Sequence, residues 1–438
     1  MGNAATGTLK YVRLSNGDVA PVQLRTERGS VIIEQPQGLF AAVFDNGQWN
    51  SYTNQPWFVD AQEGDKLVAS NVVGSASQGF SVALSADGNT LAEGGKDDDS
   101  GRGAVFIFTR SGNVWQQQGN KLSGSNGAIG AGQGYSVTLS GDGNTLAEGG
   151  LNDDSGRGAV WIFTRSGTSW SQQGTKLTGF DALGTAQQGT SVALSADGNT
   201  LAEGGNIDDS NQGAVWIFTR SGTQWAQQGG KLTGLDGGAS NQGSSVAISA
   251  DGNTLAEGGW SNDANQGAVW IFTRSGTQWA QQGAKLTGSN GSLSQQGWSV
   301  ALSADGNILA EGGIADGANG AVWIFARSTE SIWAQQGSKL TGSGALGNAL
   351  QGYSVALSSD GTTLAEGGRT DDGGNGAVWI FTADINGNWS QRGSKLTGLN
   401  GGATGAQGVS VALSANGNTL AEGGPGDAGS NGAVWIFV

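Results

Sequence analysis

The chain has no cysteine and no histidine. Without them there are no disulfide staples, no Cys/His zinc sites, no thiol nucleophile and no histidine-based catalytic triad. Proline is almost as scarce, at 4 of 438 residues, and three of the four fall before residue 60. No apolar run approaches the roughly 18 residues needed to span a bilayer, so no transmembrane segment is expected. The N-terminus also lacks the basic-then-apolar stretch of a secretory signal. Basic residues number 21 against 36 acidic ones, a formal charge of −15. Residues 1–59 hold four of each, so the remainder of the chain carries the whole excess. A surface of that sign repels phosphate backbones and excludes nucleic acid as an expected partner.

Glycine is abundant instead, at 81 residues. Glycine without proline and without a three-residue period fits tight β turns better than collagen or a disordered linker. It is also periodic. The motif SVALSADGNTLAEGG at Ser81–Gly95 returns from Ser136, Ser191, Ser245, Ser299, Ser354 and Ser410, at spacings of 54 to 56 residues. Each copy leads into an acidic, Gly-rich loop and then GAVWIF or a close variant; in six of them a Trp and QQG-x-KL follow, with QRG in the sixth. A period of this length with a β pattern inside it signals a repeat architecture.

The second copy shows the unit. Ser136–Ser140 alternates with the two-residue period of a strand, and Asp142–Gly143–Asn144 is hairpin-turn chemistry. Leu146–Glu148, Ala159–Arg165 and Trp170–Leu177 read as three further strands, the third of the four rich in β-branched and aromatic residues. Four short antiparallel strands with Gly-rich turns make a propeller blade. The chain is therefore expected to be all-β, a seven-bladed propeller over residues 60–438. The seventh copy stops at Val434–Val438, before any KL strand, whereas Glu63–Leu67 (EGDKL) matches Gln118–Leu122 (QGNKL). Residues 61–70 should thus supply the last blade's outer strand and remove two open sheet edges. Residues 1–59 do not repeat. Leu9–Leu14, Ser30–Glu34 and Leu39–Phe44 read there as strands of a small β module or attachment arm.

Gly134–Tyr135–Ser136–Val137, Asp142–Gly143–Asn144–Thr145–Leu146–Ala147 and Gly158–Ala159–Val160–Trp161–Ile162–Phe163 resemble the FG-GAP repeats of integrin-alpha-like β-propellers, in their bacterial and viral style. The resemblance covers about residues 61–438 and implies the propeller fold. Calcium-binding repeats of that family carry several Asp or Asn residues in the first hairpin. Here only Asp87 and its equivalents remain, with Ala83 and Ser85 at further ligand positions and Asn416 in the seventh copy. Calcium is therefore not expected in these hairpins, and no other cofactor is implied.

The repeated glutamates are Glu93, Glu148, Glu203, Glu257, Glu311, Glu366 and Glu422. The KL lysines match them in number: Lys66, Lys121, Lys176, Lys231, Lys285, Lys339 and Lys395. One Glu and one Lys per blade suggest structural ion pairs, since a part-buried charge needs compensation. The second-to-third strand loops gather Asp97, Asp98, Asp99, Asp153, Asp154, Asp208, Asp209, Asp371 and Asp372, with Asp263, Asp316 and Asp427. They suit a divalent cation or a basic partner, or simply a solvated face. Arg110, Arg165, Arg220 and Arg274 lie in turns on the opposite face. Twelve of the sixteen Trp residues occupy two repeated positions and read as packing. Trp260 and Trp298 break the repeat, and either stack on a ligand or fill a local gap.

These features point to a non-enzymatic structural and interaction module displayed on a large assembly such as a virion or a cell surface. The propeller would be its head, and residues 1–59 the anchor to a protein partner. Gly2 and Thr6 match an N-myristoylation pattern. A lectin-like propeller binding surface glycans is the second reading. No catalytic residue is assigned, because catalysis divides roles within one asymmetric constellation and nearly every carboxylate recurs in equivalent surroundings.

Overall fold

The computed structural model describes residues 61–438 in full and, before them, the strand backbones Lys10–Arg13, Val19–Glu27, Ser30–Glu34, Ala41–Asp45 and Gln48–Tyr52. The chain divides into two compact units, Met1–Phe58 and Val59–Val438. In the first unit, the three leading strands form an antiparallel sheet and the other two a hairpin. The expected lipidation pattern at Gly2 and the attachment role of residues 1–59 lie outside the described residues.

The second unit is a ring of seven antiparallel sheets, the first six four-stranded like that of the second repeat and the seventh with three strands of its own. In the second repeat, Ser136–Leu139, Thr145–Gly150, Ala159–Ser166 and Ser169–Gln172 pair in sequence order. The fourth strand breaks after Gln172 and rejoins through a single bridge from Leu177 to Val160. The first strands of successive blades contact one another around the whole ring, so they line the axis and the fourth strands face outward.

Two rings of hydrogen bonds tie the blades together. In the strand 1–2 turns, Ala86 N donates to Gly141 O at 2.9 Å, Gly141 N to Ala196 O at 2.8 Å, and so on until Ala415 N closes the circle on Ala86 O at 2.9 Å. At the other end, Ser136 Oγ donates to Gly189 O at 2.8 Å, and its six counterparts do likewise, ending with Ser410 on Gly79 O at 2.9 Å. The approach is close enough to dictate residue type. A Cβ on Gly149 would fall 2.1 Å from Gly189 O, which no side chain tolerates.

Between blades lie repeated apolar clusters. One joins Ala92, Val105 and Ile107 of blade 1 to Val137, Leu146, Trp161 and Phe163 of blade 2. Trp161 is fully buried and donates its Nε1–H to Ser125 O at 2.9 Å. Trp170 is half-buried beneath Arg165, whose guanidinium carbon is 5.3 Å from the ring centroid. Both repeated Trp positions are thus packing positions.

The ring closes with residues 61–67. Glu63 N donates to Ile436 O at 2.7 Å, Leu67 N to Val434 O at 2.7 Å and Val438 N to Ala61 O at 3.1 Å. Glu63 also accepts from Arg110 at 3.1 Å and from Trp115 Nε1 at 3.0 Å, so this segment grips blade 1 as well as blade 7. No helix among the described residues is long and apolar enough to cross a membrane.

Candidate functional site in the axial funnel

The expected Glu–Lys pairing is corrected by the structure. The lysines bind aspartates of the second-to-third strand loops: Lys121 holds Asp98, Lys176 holds Asp153, Lys231 holds Asp208, Lys339 holds Asp316 and Lys395 holds Asp371. Lys66 closes the set on Asp427 at 2.6 Å; Lys285 meets Asn262 at 2.6 Å and Asp263 at 2.8 Å. The aspartate, unlike the glutamate, also reaches backbone donors. Asp153 Oδ1 accepts from Ala128 N at 2.9 Å, which pins the incoming inter-blade connection to the loop.

The seven glutamates sit apart from any cation. Glu148 lies in register between Val137 and Trp161, is fully buried, and neither carboxyl oxygen finds a hydrogen-bond partner. The nearby Gly124 amide opposes the shift slightly, but its hydrogen bond goes to Gln133 Oε1 at 2.5 Å. Burial pushes Glu148, Glu311, Glu366 and Glu422 up to about 8, and Glu93, Glu203 and Glu257 well above the usual carboxylate range. These groups are neutral packing elements at neutral pH, not a ring of ligands.

Of the nine aspartates that were candidates for metal, Asp97 pairs with Lys96 at 2.8 Å and the other eight divide in two. Asp98, Asp153, Asp208 and Asp371 are buried against lysines, whereas Asp99, Asp154, Asp209 and Asp372 occupy left-handed positions on the loop crests. Among the described residues, no three carboxylates converge.

A more distinctive site lies on the axis. In the inner strands and their turns the repeats are nearly identical, but two positions at the Ser-ring end differ from blade to blade. The residue after each Gln-Gly is Phe80, Tyr135, Thr190, Ser244, Trp298, Tyr353 and Val409 in turn. The residue after each Glu-Gly-Gly is Lys96, Leu151, Asn206, Trp260, Ile314, Arg369 and Pro425. Antiparallel pairing of the first two strands places both positions at the same end of the blade.

Together they form a recess of about 260 Å³ lined by Phe80, Tyr135, Thr190, Asn206, Ser244, Trp260, Trp298, Tyr353 and Val409. One wall is aromatic: the Trp298 ring lies 5.8 Å from Trp260 and 5.6 Å from Tyr353, and Phe80 lies 4.9 Å from Tyr135. The Arg369 guanidinium carbon sits 4.6 Å from the Tyr353 centroid. The wall between is polar, where Thr190 Oγ1 donates to Gln187 O at 2.7 Å and lies 3.1 Å from Asn206 Oδ1, and Ser244 Oγ donates to Asn241 O at 2.6 Å. Burial raises the Tyr135 hydroxyl, so it stays a hydrogen-bond donor. None of the fourteen positions is acidic, in a chain of net charge −15. Trp260 and Trp298, which break the repeat, therefore meet in this recess. The other funnel residues are legible only when the repeats are compared for where they differ.

No known family profile matches the chain, and no curated protein sequence matches it. Among solved structures it is similar to a provisionally named 6-phosphogluconolactonase from Bacteroides uniformis, with TM-score 0.53 and 15% identity over 82% of this chain and 92% of that one. A second structure with that provisional name, from Bacteroides fragilis, gives TM-score 0.50 and 15% identity over 82% and 91%. Likeness at this identity establishes the shared propeller fold. It also corrects the expectation of a non-enzymatic display module: both of these solved propellers carry enzyme names, and that expectation is withdrawn.

Proposed function

We propose that the axial funnel is the working site and takes one small, ring-shaped, polyhydroxylated molecule, a sugar or a sugar-derived lactone. The observation that carries this reading is the loss of sevenfold sameness at the funnel positions and its replacement by an aromatic wall facing a polar one. Aromatic rings cover the apolar face of a sugar ring, while Thr190, Asn206, Ser244 and the Tyr135 hydroxyl suit its alcohols. The recess is about 260 Å³. That lies below the roughly 300–1,000 Å³ of drug-sized sites and favours a single ring over a chain of sugars. The names carried by the structurally similar propellers support a sugar lactone as the ligand class. The FG-GAP resemblance remains, within this proposal, a reading of the repeat and not of the ligand.

Isothermal titration calorimetry with a panel of monosaccharides and aldonolactones tests the reading. The unmodified protein should give saturable binding to ring compounds, and Trp298→Ala should weaken it at least about tenfold, roughly 1.4 kcal/mol. Equal affinity in the variant, or no binding of any ring compound at millimolar concentration, refutes it.

A further inference from the structure

Given the axial reading, on which this step rests, we infer that Lys96 and Asp97 make the funnel a hydrolytic site for a cyclic ester. Blade 1 alone follows Glu-Gly-Gly with a base and an acid; the other blades have Leu151–Asn152, Asn206–Ile207, Trp260–Ser261, Ile314–Ala315, Arg369–Thr370 and Pro425–Gly426. Lys96 Nζ lies 2.9 and 2.8 Å from the two Asp97 oxygens and 4.9 Å from the Phe80 centroid. Ser77 Oγ donates to Asp97 Oδ2 at 2.7 Å and fixes the carboxylate from the other side. Both residues line a second recess of about 340 Å³, which shares Tyr135, Thr190 and Asn206 with the aromatic one. The two recesses therefore adjoin along Tyr135, Thr190 and Asn206, and Lys96 reaches the Phe80 ring that lines the aromatic one.

The chemistry follows from what the chain has. With no cysteine and no histidine, the direct route is attack by water, assisted by a carboxylate base. The Asp97 carboxylate takes a proton from water as the water oxygen bonds to the ester carbonyl carbon. The carbonyl electron pair moves to its oxygen, and the Lys96 ammonium stabilises that oxyanion. When the carbonyl re-forms, the bond to the ring oxygen breaks and that oxygen takes the proton back from Asp97. The sum is cyclic ester plus water giving a hydroxy acid, with no oxidant or cofactor consumed. A carboxylate is a weak base, which suits an activated ester and not an amide, whose amine leaves only after stronger protonation.

The test measures hydrolysis of δ-gluconolactone by acid release, corrected for the spontaneous reaction, alongside calorimetric binding of the ring compound found for the funnel. Asp97→Asn should lower kcat about 10²–10⁴-fold, the range for loss of a positioned base, with binding within about threefold. Lys96→Met should lower kcat about 10²–10³-fold, as for loss of one oxyanion partner, while Trp298→Ala should act chiefly on KM. Wild-type turnover in Asp97→Asn, or ring binding with no acceleration over water, overturns the hydrolytic assignment and leaves the funnel reading standing. Absence of any ring binding overturns both.

Discussion

Substituting Glu148 by Gln removes a buried ionisable group while keeping its shape, and its effect on stability should depend on pH in a defined direction. Burial raises the Glu148 carboxyl from 4.5 to about 8. At about 1.36 kcal/mol per unit, that difference is worth up to roughly 5 kcal/mol. The sign follows from proton counting. Between about 4.5 and about 8 the folded chain holds a proton that the unfolded chain has released, so stability falls as pH rises. The contribution is fully present below the unfolded value and is lost as pH climbs through the folded one. The other six glutamates are shifted in the same direction, so mild alkali should weaken the ring. Denaturant unfolding of wild type and Glu148→Gln at pH 5 and pH 8.5 measures this. The two should agree within about 1 kcal/mol at pH 5, and the variant should be the more stable at pH 8.5 by up to about 5 kcal/mol. Self-repulsion of the acidic surface affects both proteins alike and cancels in the difference. Parallel pH dependences for the two proteins would refute the assignment of Glu148 as a buried, unpartnered acid.

Two further predictions concern the ring's fastenings. Lys176→Met leaves the fully buried Asp153 carboxylate without its cation, and should cost about 3–5 kcal/mol in urea unfolding; Lys176→Met/Asp153→Asn should recover part of that, and a change below about 0.5 kcal/mol in the single variant contradicts the pairing. A chain beginning at residue 68 loses the Glu63 and Leu67 backbone bonds and the Lys66 partner of buried Asp427. Beside one beginning at residue 59, it should be less stable by at least about 3–5 kcal/mol, and coincident thermal melts would contradict closure by this segment.

Much of the architecture was legible in the residues. Asp-Gly-Asn turns and the run Ala-Val-Trp-Ile-Phe have strong local preferences, so strands and hairpins followed from each repeat alone. The match of Glu63–Leu67 to Gln118–Leu122 located the closing strand, because a missing strand in a ring can come only from the chain's other end. Pairings between elements were less accessible. Counting suggested Glu with Lys, whereas Lys176 chose Asp153, since the loop carries that carboxylate to the lysine and the inter-blade connection offers it the Ala128 amide. The glutamate one strand away faces Trp161.

The funnel was hidden for a related reason. Repetition advertises what is structural, and Phe80, Thr190 or Ser244 resembles an ordinary substitution when viewed within its own repeat. The sequence by itself determined the period, the strand pattern and the number of blades, because these depend on short-range backbone preference and on one unit copied seven times. Only the tertiary structure decided which carboxylates are neutral, which lysines they lack, and that seven unlike residues meet at one point. Those are properties of distances between blades, created when the ring closes.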